Sequence, residues 1–205
     1  MNSFKEYLHE QQDIKSLVYA FGRYNPPSRG HILHFQAVRE LAIKLGMPYE
    51  LYISKTVDHK RNPVSVAERI AYIKKALPVI HSVTPTINMF TIVDDMAALG
   101  KKRLVYVAGS DYFEAKEEQA MMTRLQSYAK EKGMELTVQM SRQREPEISG
   151  TALRQAALND DFKTFLQASP VGMGRITQQD VARMFELTKQ GLSAAPVKAK
   201  KKPVV

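Results

Sequence analysis

The chain has 205 residues, 44% of them apolar and 25% charged, with a formal net charge of +9 and no cysteine. That composition belongs to a globular protein with a sizeable core, and it excludes disulfides, thiolate metal sites and a cysteine nucleophile. No apolar run approaches the ~20 residues of a membrane-spanning helix, and the opening Met1-Asn2-Ser3-Phe4-Lys5-Glu6-Tyr7 lacks the basic-then-apolar layout of a secretory leader, so a cytoplasmic protein with no membrane partner is expected.

Residues 1–16 read as a polar N-terminal arm or helix. Leu17 to Phe21 is a short apolar run of strand formers ended by Gly22, the mark of a buried strand. After a loop to Arg29, helical spacing places Phe35, Val38, Leu41, Ala42 and Leu45 on one face, and Gly46 stops the helix. Tyr49 to Ser54 is a second strand. Lys55 to Asn62 is a polar loop. Pro63 and Ser65 then open a helix with Ile70, Ile73 and Leu77 inward and Pro78 at its end. Ile87 to Val93 is the candidate third strand, followed by a short helix over Asp94 to Leu99. Leu104 to Ala108 is a buried strand leading into Gly109-Ser110-Asp111. A long helix spans Tyr112 to Lys132 and is closed by Gly133; Glu135 to Met140 is the fifth strand. From Thr151 the pattern is helical, broken near Asn159 and at Pro170 to Gly174. Residues 193–205 are rich in Ala, Pro and Lys and are expected to be disordered.

Strands alternating with helices predict an α/β fold: a Rossmann-like, doubly wound parallel sheet of about five strands with helices on both faces, plus C-terminal helices. Ligands of such sheets sit beyond the C-terminal ends of the strands, near the switch point in strand order. Three loops therefore matter: those after Phe21, after Ser54 and after Ala108.

The first of these reads Gly22-Arg23-Tyr24-Asn25-Pro26-Pro27-Ser28-Arg29-Gly30-His31. It delivers the chain into a helix whose free N–H groups and dipole favour an anion. Ser28 can cap that helix or donate to a phosphate, Gly30 permits close backbone approach, and His31 in the first turn can donate to a phosphate oxygen as charge builds there. Arg23 and Arg29 add positive charge. A tight turn with a serine cap and an incidental histidine accounts for the same residues. Far downstream, Ser149-Gly150-Thr151-Ala152-Leu153-Arg154 brings two hydroxyls, loose backbone N–H groups and a guanidinium to another helix start. That is a second anion site, or a plain capped helix with a surface arginine.

Together these segments resemble the cytidylyltransferase-like nucleotidyltransferase superfamily, whose signatures are H/T-x-G-H opening the first helix and I-S-S-T-x-x-R opening a late one. Here they stand as Ser28-Arg29-Gly30-His31 and Ile148-Ser149-Gly150-Thr151-Ala152-Leu153-Arg154. Gly22-Arg23-Tyr24-Asn25-Pro26 is similar to the G-R-F-x-P opening of archaeal-type nicotinamide mononucleotide adenylyltransferases, and Asn62-Pro63-Val64-Ser65-Val66-Ala67-Glu68-Arg69 to their N-P-F/L-S/T-x-x-E-R segment. Leu104 to Asp111 resembles the strand and G-S-D turn of related enzymes, including small versions from large tailed phages. The resemblance covers roughly residues 15–168. Ser28 departs from the usual His or Thr but keeps the threonine's hydroxyl, and Gly150 replaces a common Ser.

The resemblance implies transfer of a nucleoside monophosphate, AMP from ATP in the branch it favours, to a phosphate-bearing acceptor such as nicotinamide mononucleotide, with release of pyrophosphate. His31, Ser28 and Arg154 would be catalytic. Gly22, Arg23, Tyr24, Gly30, Gly109, Asp111, Ile148, Ser149 and Thr151 would bind the nucleotide, Asp111 being equally a turn residue. Ser54, Lys55, Lys60, Arg61 and Asn62 would line the acceptor pocket, or be a solvated basic loop. Mg²⁺ would be carried mainly by the triphosphate, since His9, His34, His59 and His81 show no metal-ligand spacing and His34 reads as a helix-face residue. The implied organisation is an arm (1–16), a nucleotidyltransferase domain (17–168), a C-terminal helical extension (169–192) and a basic tail (193–205). Pantetheine phosphate or a CTP-dependent acceptor fits the same chemistry. A nucleotide- or nucleic-acid-binding protein without turnover is the alternative of another class, and the lysine tail, with Lys198, Lys200, Lys201 and Lys202, offers non-specific contact to polyanions. The oligomeric state stays open.

Overall fold

The computed structural model describes residues 15–80, 82–110, 113, 115–141 and 145–194. Most of the expected N-terminal arm and basic tail, with Asp111, His9 and His81, lies outside the described residues. Five strands, β1 (Ser16–Gly22), β2 (Tyr49–Ser54), β3 (Val83–Thr86), β4 (Arg103–Ala108) and β5 (Glu135–Met140), form one sheet in the order β3-β2-β1-β4-β5. Every neighbouring pair is parallel, with Val18 opposite Tyr49 on one side of β1 and opposite Val105 on the other.

The inner strands are apolar on both faces because both faces are covered. Val18, Ala20, Val105 and Val107 point into a core completed by α1 (Arg29–Leu45), α2 (Val66–Ala76) and the C-terminal helices α5 (Gly150–Leu158), α6 (Phe162–Ala168) and α7 (Gln178–Ser193). The alternate residues Leu17, Tyr19, Leu104 and Tyr106 point the other way, against α3 (Met89–Ala98) and α4 (Lys116–Glu131). This is the doubly wound α/β arrangement expected from the strand–helix alternation. None of the described helices is long and apolar enough to cross a membrane.

Two boundaries differ from those the sequence predicts. The run Ile87 to Val93 is not a strand: Asn88 caps α3, its side-chain oxygen accepting from the Thr91 N–H at 3.0 Å. The buried residues Met89, Ile92, Val93 and Met96 repeat at the helical period. The third strand is the preceding Val83-Thr84-Pro85-Thr86, an edge strand that among the described residues pairs with β2 alone, which is where a strand tolerates proline. The long helix begins at Lys116, not Tyr112, after Ala115 in extended conformation.

α7 closes the first core. Thr177 and Asp180 cap its start reciprocally, and it buries Val181, Met184, Phe185 and Thr188. Phe185 meets Phe162 and Phe165 edge-on at 5.3 and 5.1 Å. At its far end Gly191 lies so close to the Pro63 carbonyl that a Cβ there would come within 2.0 Å of the oxygen.

Candidate active site

Strand order reverses at β1, which lies between β2 and β4, and the helices that follow β1 and β4 leave to opposite faces of the sheet. A crevice must open where the two connections part, beyond the C-terminal ends of these strands. It is occupied by a cavity of about 220 Å³, walled by the ends of β1 and β4, the starts of α1 and α5, and the turn of 3-10 helix Pro146–Ile148.

Ser28 and His31 form the lip contributed by α1. Ser28 is the N-cap; its backbone N–H donates to His31 Nδ1 at 3.0 Å, and its hydroxyl lies 3.1 Å from the same nitrogen. A nitrogen that accepts from a backbone N–H carries no proton, so in the neutral ring the proton is on Nε2. The hydroxyl also accepts from the His31 N–H. Ser28 is fully buried; its hydroxyl and its N–H both engage His31, while its carbonyl accepts from the Ile32 N–H at 3.2 Å. The Tyr24 ring stands edge-on to His31, with centroids 5.2 Å apart, and fills the space over Gly22, where a Cβ would lie 2.6 Å from the ring.

The second lip belongs to α5. Ser149 caps it by accepting from the Ala152 N–H at 3.2 Å. Arg154 donates through Nη2 to Thr151 Oγ1 at 3.0 Å and through Nη1 to the Asn25 carbonyl at 2.7 Å, reaching across to the loop after β1. The two helix starts touch: a Cβ at Gly30 would lie 2.8 Å from the Ile148 carbonyl, and one at Gly150 would lie 3.1 Å from His31 Cε1. Small residues at both positions let the motifs share one wall although about 120 residues separate them in sequence.

The cavity thus gathers His31, Ser28 and Arg154 with Gly22, Arg23, Tyr24, Gly30, Gly109, Ile148, Ser149 and Thr151. None of the five residues expected at the acceptor end lines it. Ser54 is buried, its hydroxyl donating to Thr56 Oγ1 at 2.9 Å. Asp58 pairs with Asn62 through the backbone and accepts from the N–H groups of Arg61 and Lys60 at 2.7 and 2.9 Å. Those bonds, Arg61's foremost, hold the Asp58 carboxyl down at about 2. The loop therefore closes on itself, leaving Lys55, Lys60 and Arg61 exposed and burying Asn62.

Other lining residues are not evident from the motifs. His34 follows His31 by three positions, hence on the same side of α1, and its Nδ1 lies 2.7 Å from Ser141 Oγ just beyond β5; both border the cavity. Asn25 is buried and fixes the loop from below, donating to the Val64 carbonyl at 2.8 Å and accepting from its N–H at 2.9 Å. Arg69, behind the cavity wall, donates to the carbonyl of Arg23. Only spacing hinted at His34. For Asn25 and Arg69 the signal lay in the segments Asn25-Pro26 and Asn62 to Arg69, whose partners are distant in sequence.

Fold and site together define a doubly wound parallel α/β protein whose switch-point crevice is bounded by two helix N-termini, a histidine and an arginine. The chain belongs to the cytidylyltransferase-like family, whose profile matches residues 19–156, from within β1 into α5. A similar solved structure is that of Thermotoga maritima TmcAL bound with alpha-thio ATP, with a TM-score of 0.47 and 13% identity, covering 83% of this chain and 56% of that one. The chain thus matches little more than half the length of that protein. No curated protein matches the sequence.

Proposed function

We propose that the protein is a nucleotidyltransferase that moves AMP from ATP to a phosphate-bearing acceptor, nicotinamide mononucleotide being the first candidate. The observation that carries the reading is the meeting of His31 and Arg154, from two distant helix starts, on one cavity at the switch point. In the proposed reaction an acceptor phosphate oxygen attacks the α-phosphorus in line, a new P–O bond forms, and the bond to the β-phosphate bridging oxygen breaks to release pyrophosphate. The work asked of the protein is positioning and charge stabilisation. His31, with Nδ1 engaged by Ser28, offers its Nε2–H to the transferring group. The first-turn N–H groups of α1 and α5 and the Arg154 guanidinium suit the β- and γ-phosphates.

Among the described residues no group of three or more histidines and carboxylates could hold a metal ion, and Glu145 is the one carboxylate among the described lining residues. That donor set fits Mg²⁺ brought in on the triphosphate rather than held by a protein cage. Bound there, the ion would neutralise phosphate charge; the positioning still falls to the side chains named above.

Pyrophosphate release measured with each of the four nucleoside triphosphates against nicotinamide mononucleotide, pantetheine phosphate and phosphorylated alcohols tests the reading. ATP with nicotinamide mononucleotide is expected to give the highest kcat/KM. Preference for CTP or another acceptor would move the protein within the same chemistry. Nucleotide binding with no release for any pair would make it a binding protein.

A further inference from the structure

Arg69 lies in the first turn of α2 and is the largest fully buried side chain among the described residues. Its guanidinium ties three segments together. It donates to the Arg23 carbonyl in the loop after β1, to the Ser54 and Thr56 carbonyls after β2 at 3.0 and 3.3 Å, and through Nε to the Ser65 carbonyl at the cap of its own helix at 3.3 Å. Buried arginines are almost always paired with carboxylates. Among the described residues this one makes no ion pair, and the neighbouring Glu68 turns away to Arg183 at 2.9 Å. Burial lowers the guanidinium to about 10, which leaves it charged at neutral pH. Carbonyl dipoles satisfy its donors, but they do not cancel its net charge.

The charge sits directly behind the peptide that lines the cavity. Tyr24 has φ of 45°, a left-handed conformation that non-glycine residues keep only when their surroundings over-determine it. The surroundings do so from three sides: Arg69 on the Arg23 carbonyl, Arg154 on the Asn25 carbonyl, and the Asn25 side chain on both backbone groups of Val64. The carbonyl and N–H of a trans peptide point opposite ways, so anchoring the Arg23 carbonyl on Arg69 turns the Tyr24 N–H to the side away from the guanidinium.

We propose that Arg69 is a positioning residue for the phosphate-facing loop Arg23–Asn25 and that a polyphosphate in the cavity is the counter-charge to its buried guanidinium; this rests on reading the cavity as a nucleotide site. Titration calorimetry on the full chain, with inorganic pyrophosphate and AMP as probes, tests it. Arg69→Lys keeps the charge and loses the fork; Arg69→Gln keeps an amide donor and loses the charge. Arg69→Gln should weaken pyrophosphate binding about tenfold or more and AMP binding about threefold or less, because a charge effect grows with the charge of the ligand. Arg69→Lys should fall between Arg69→Gln and wild type. A merely architectural residue would weaken both probes by one common factor or neither, and either result overturns the proposal. Should the variants fail to fold, the Nε–H resonance of Arg69 in the wild-type protein takes their place: pyrophosphate should shift it, and an unmoved resonance in a protein that binds pyrophosphate overturns the proposal. A wild type that binds neither probe overturns both the proposal and the nucleotide-site reading. A wild type that binds pyrophosphate with the expected Arg69 dependence, yet releases none from any nucleoside triphosphate, upholds the proposal and removes nucleotidyl transfer.

Discussion

The tautomer of the His31 ring is set by the Ser28 N–H at 3.0 Å, which leaves the ring proton on Nε2. His31→Ala should lower kcat by about 100-fold or more with little change in ATP affinity, because a preorganised donor contributes most where charge develops; steady-state kinetics with calorimetry separate the two, and an unchanged kcat would remove the assignment. Ser28 was legible as a cap and as a hydroxyl, and the family pattern directs that hydroxyl to a phosphate. Its complete burial was not legible, because burial is set by what packs around the loop and not by the local capping pattern that joins it to His31. Gly150 gives a finer test. A Cβ there would stand 3.1 Å from both His31 Cε1 and the Pro26 carbonyl, so the ring must give by a few tenths of an ångström. Gly150→Ala should lower kcat by about tenfold while the unfolding temperature hardly moves, since small misplacements at a reacting centre are expensive; full activity would show that the ring has room.

At the scale of elements, the parallel strands and most helices could be read from apolar runs and caps, because those signals are local. The exchange of strand for helix at Ile87 to Val93 shows where locality fails. That run is continuous enough for a strand, and only the cap at Asn88 and the spacing of Met89, Ile92, Val93 and Met96 mark it as a helix. The loop after β2 shows another limit of local signals: its basic residues were evident, but the Asp58 bonds that fold it back on itself join side chain to backbone and leave no periodic trace. The start of α7 is testable by pH. Lys75 at 2.6 Å, with the N–H of Thr177, holds the Asp180 carboxyl down at about 2 against an ordinary value near 4. The depressed value means that its stabilisation is fully present above about pH 4 and is lost as pH falls through about 2. Asp180→Ala, which removes the N3 half of the capping box, should cost about 1 kcal/mol near neutrality, and the difference from wild type should shrink as pH falls through about 2. At the other end of the helix, Gly191→Ala would drive a Cβ to 2.0 Å from the Pro63 carbonyl and should cost about 1–3 kcal/mol in denaturant unfolding. Because Pro63 adjoins Val64, which holds Asn25, this variant should also weaken nucleotide binding.

For the whole molecule, α7 is as much part of the core as the helices inside the family match: Val181, Met184 and Phe185 join the same cluster as Val18 and Val105. A chain ending after Ala194 should fold and turn over like the full one, with weaker and less salt-sensitive affinity for polyanions because the tail lysines are gone. A chain ending before Thr177 should lose cooperative unfolding, since that face of the core would be open to water. Nucleotide transfer by two helix starts brought together at the switch point has a direct experimental signature. Its most direct test is pyrophosphate release from ATP with nicotinamide mononucleotide, in wild type, His31→Ala and Arg154→Lys, beside calorimetric ATP binding for the same three proteins. Wild type should turn over, and His31→Ala should fall by about 100-fold. Arg154→Lys should also fall clearly, because an ammonium cannot reproduce the guanidinium fork, with ATP affinity changing far less than turnover in both. Turnover in the two variants equal to wild type would show that neither helix start takes part in the transfer.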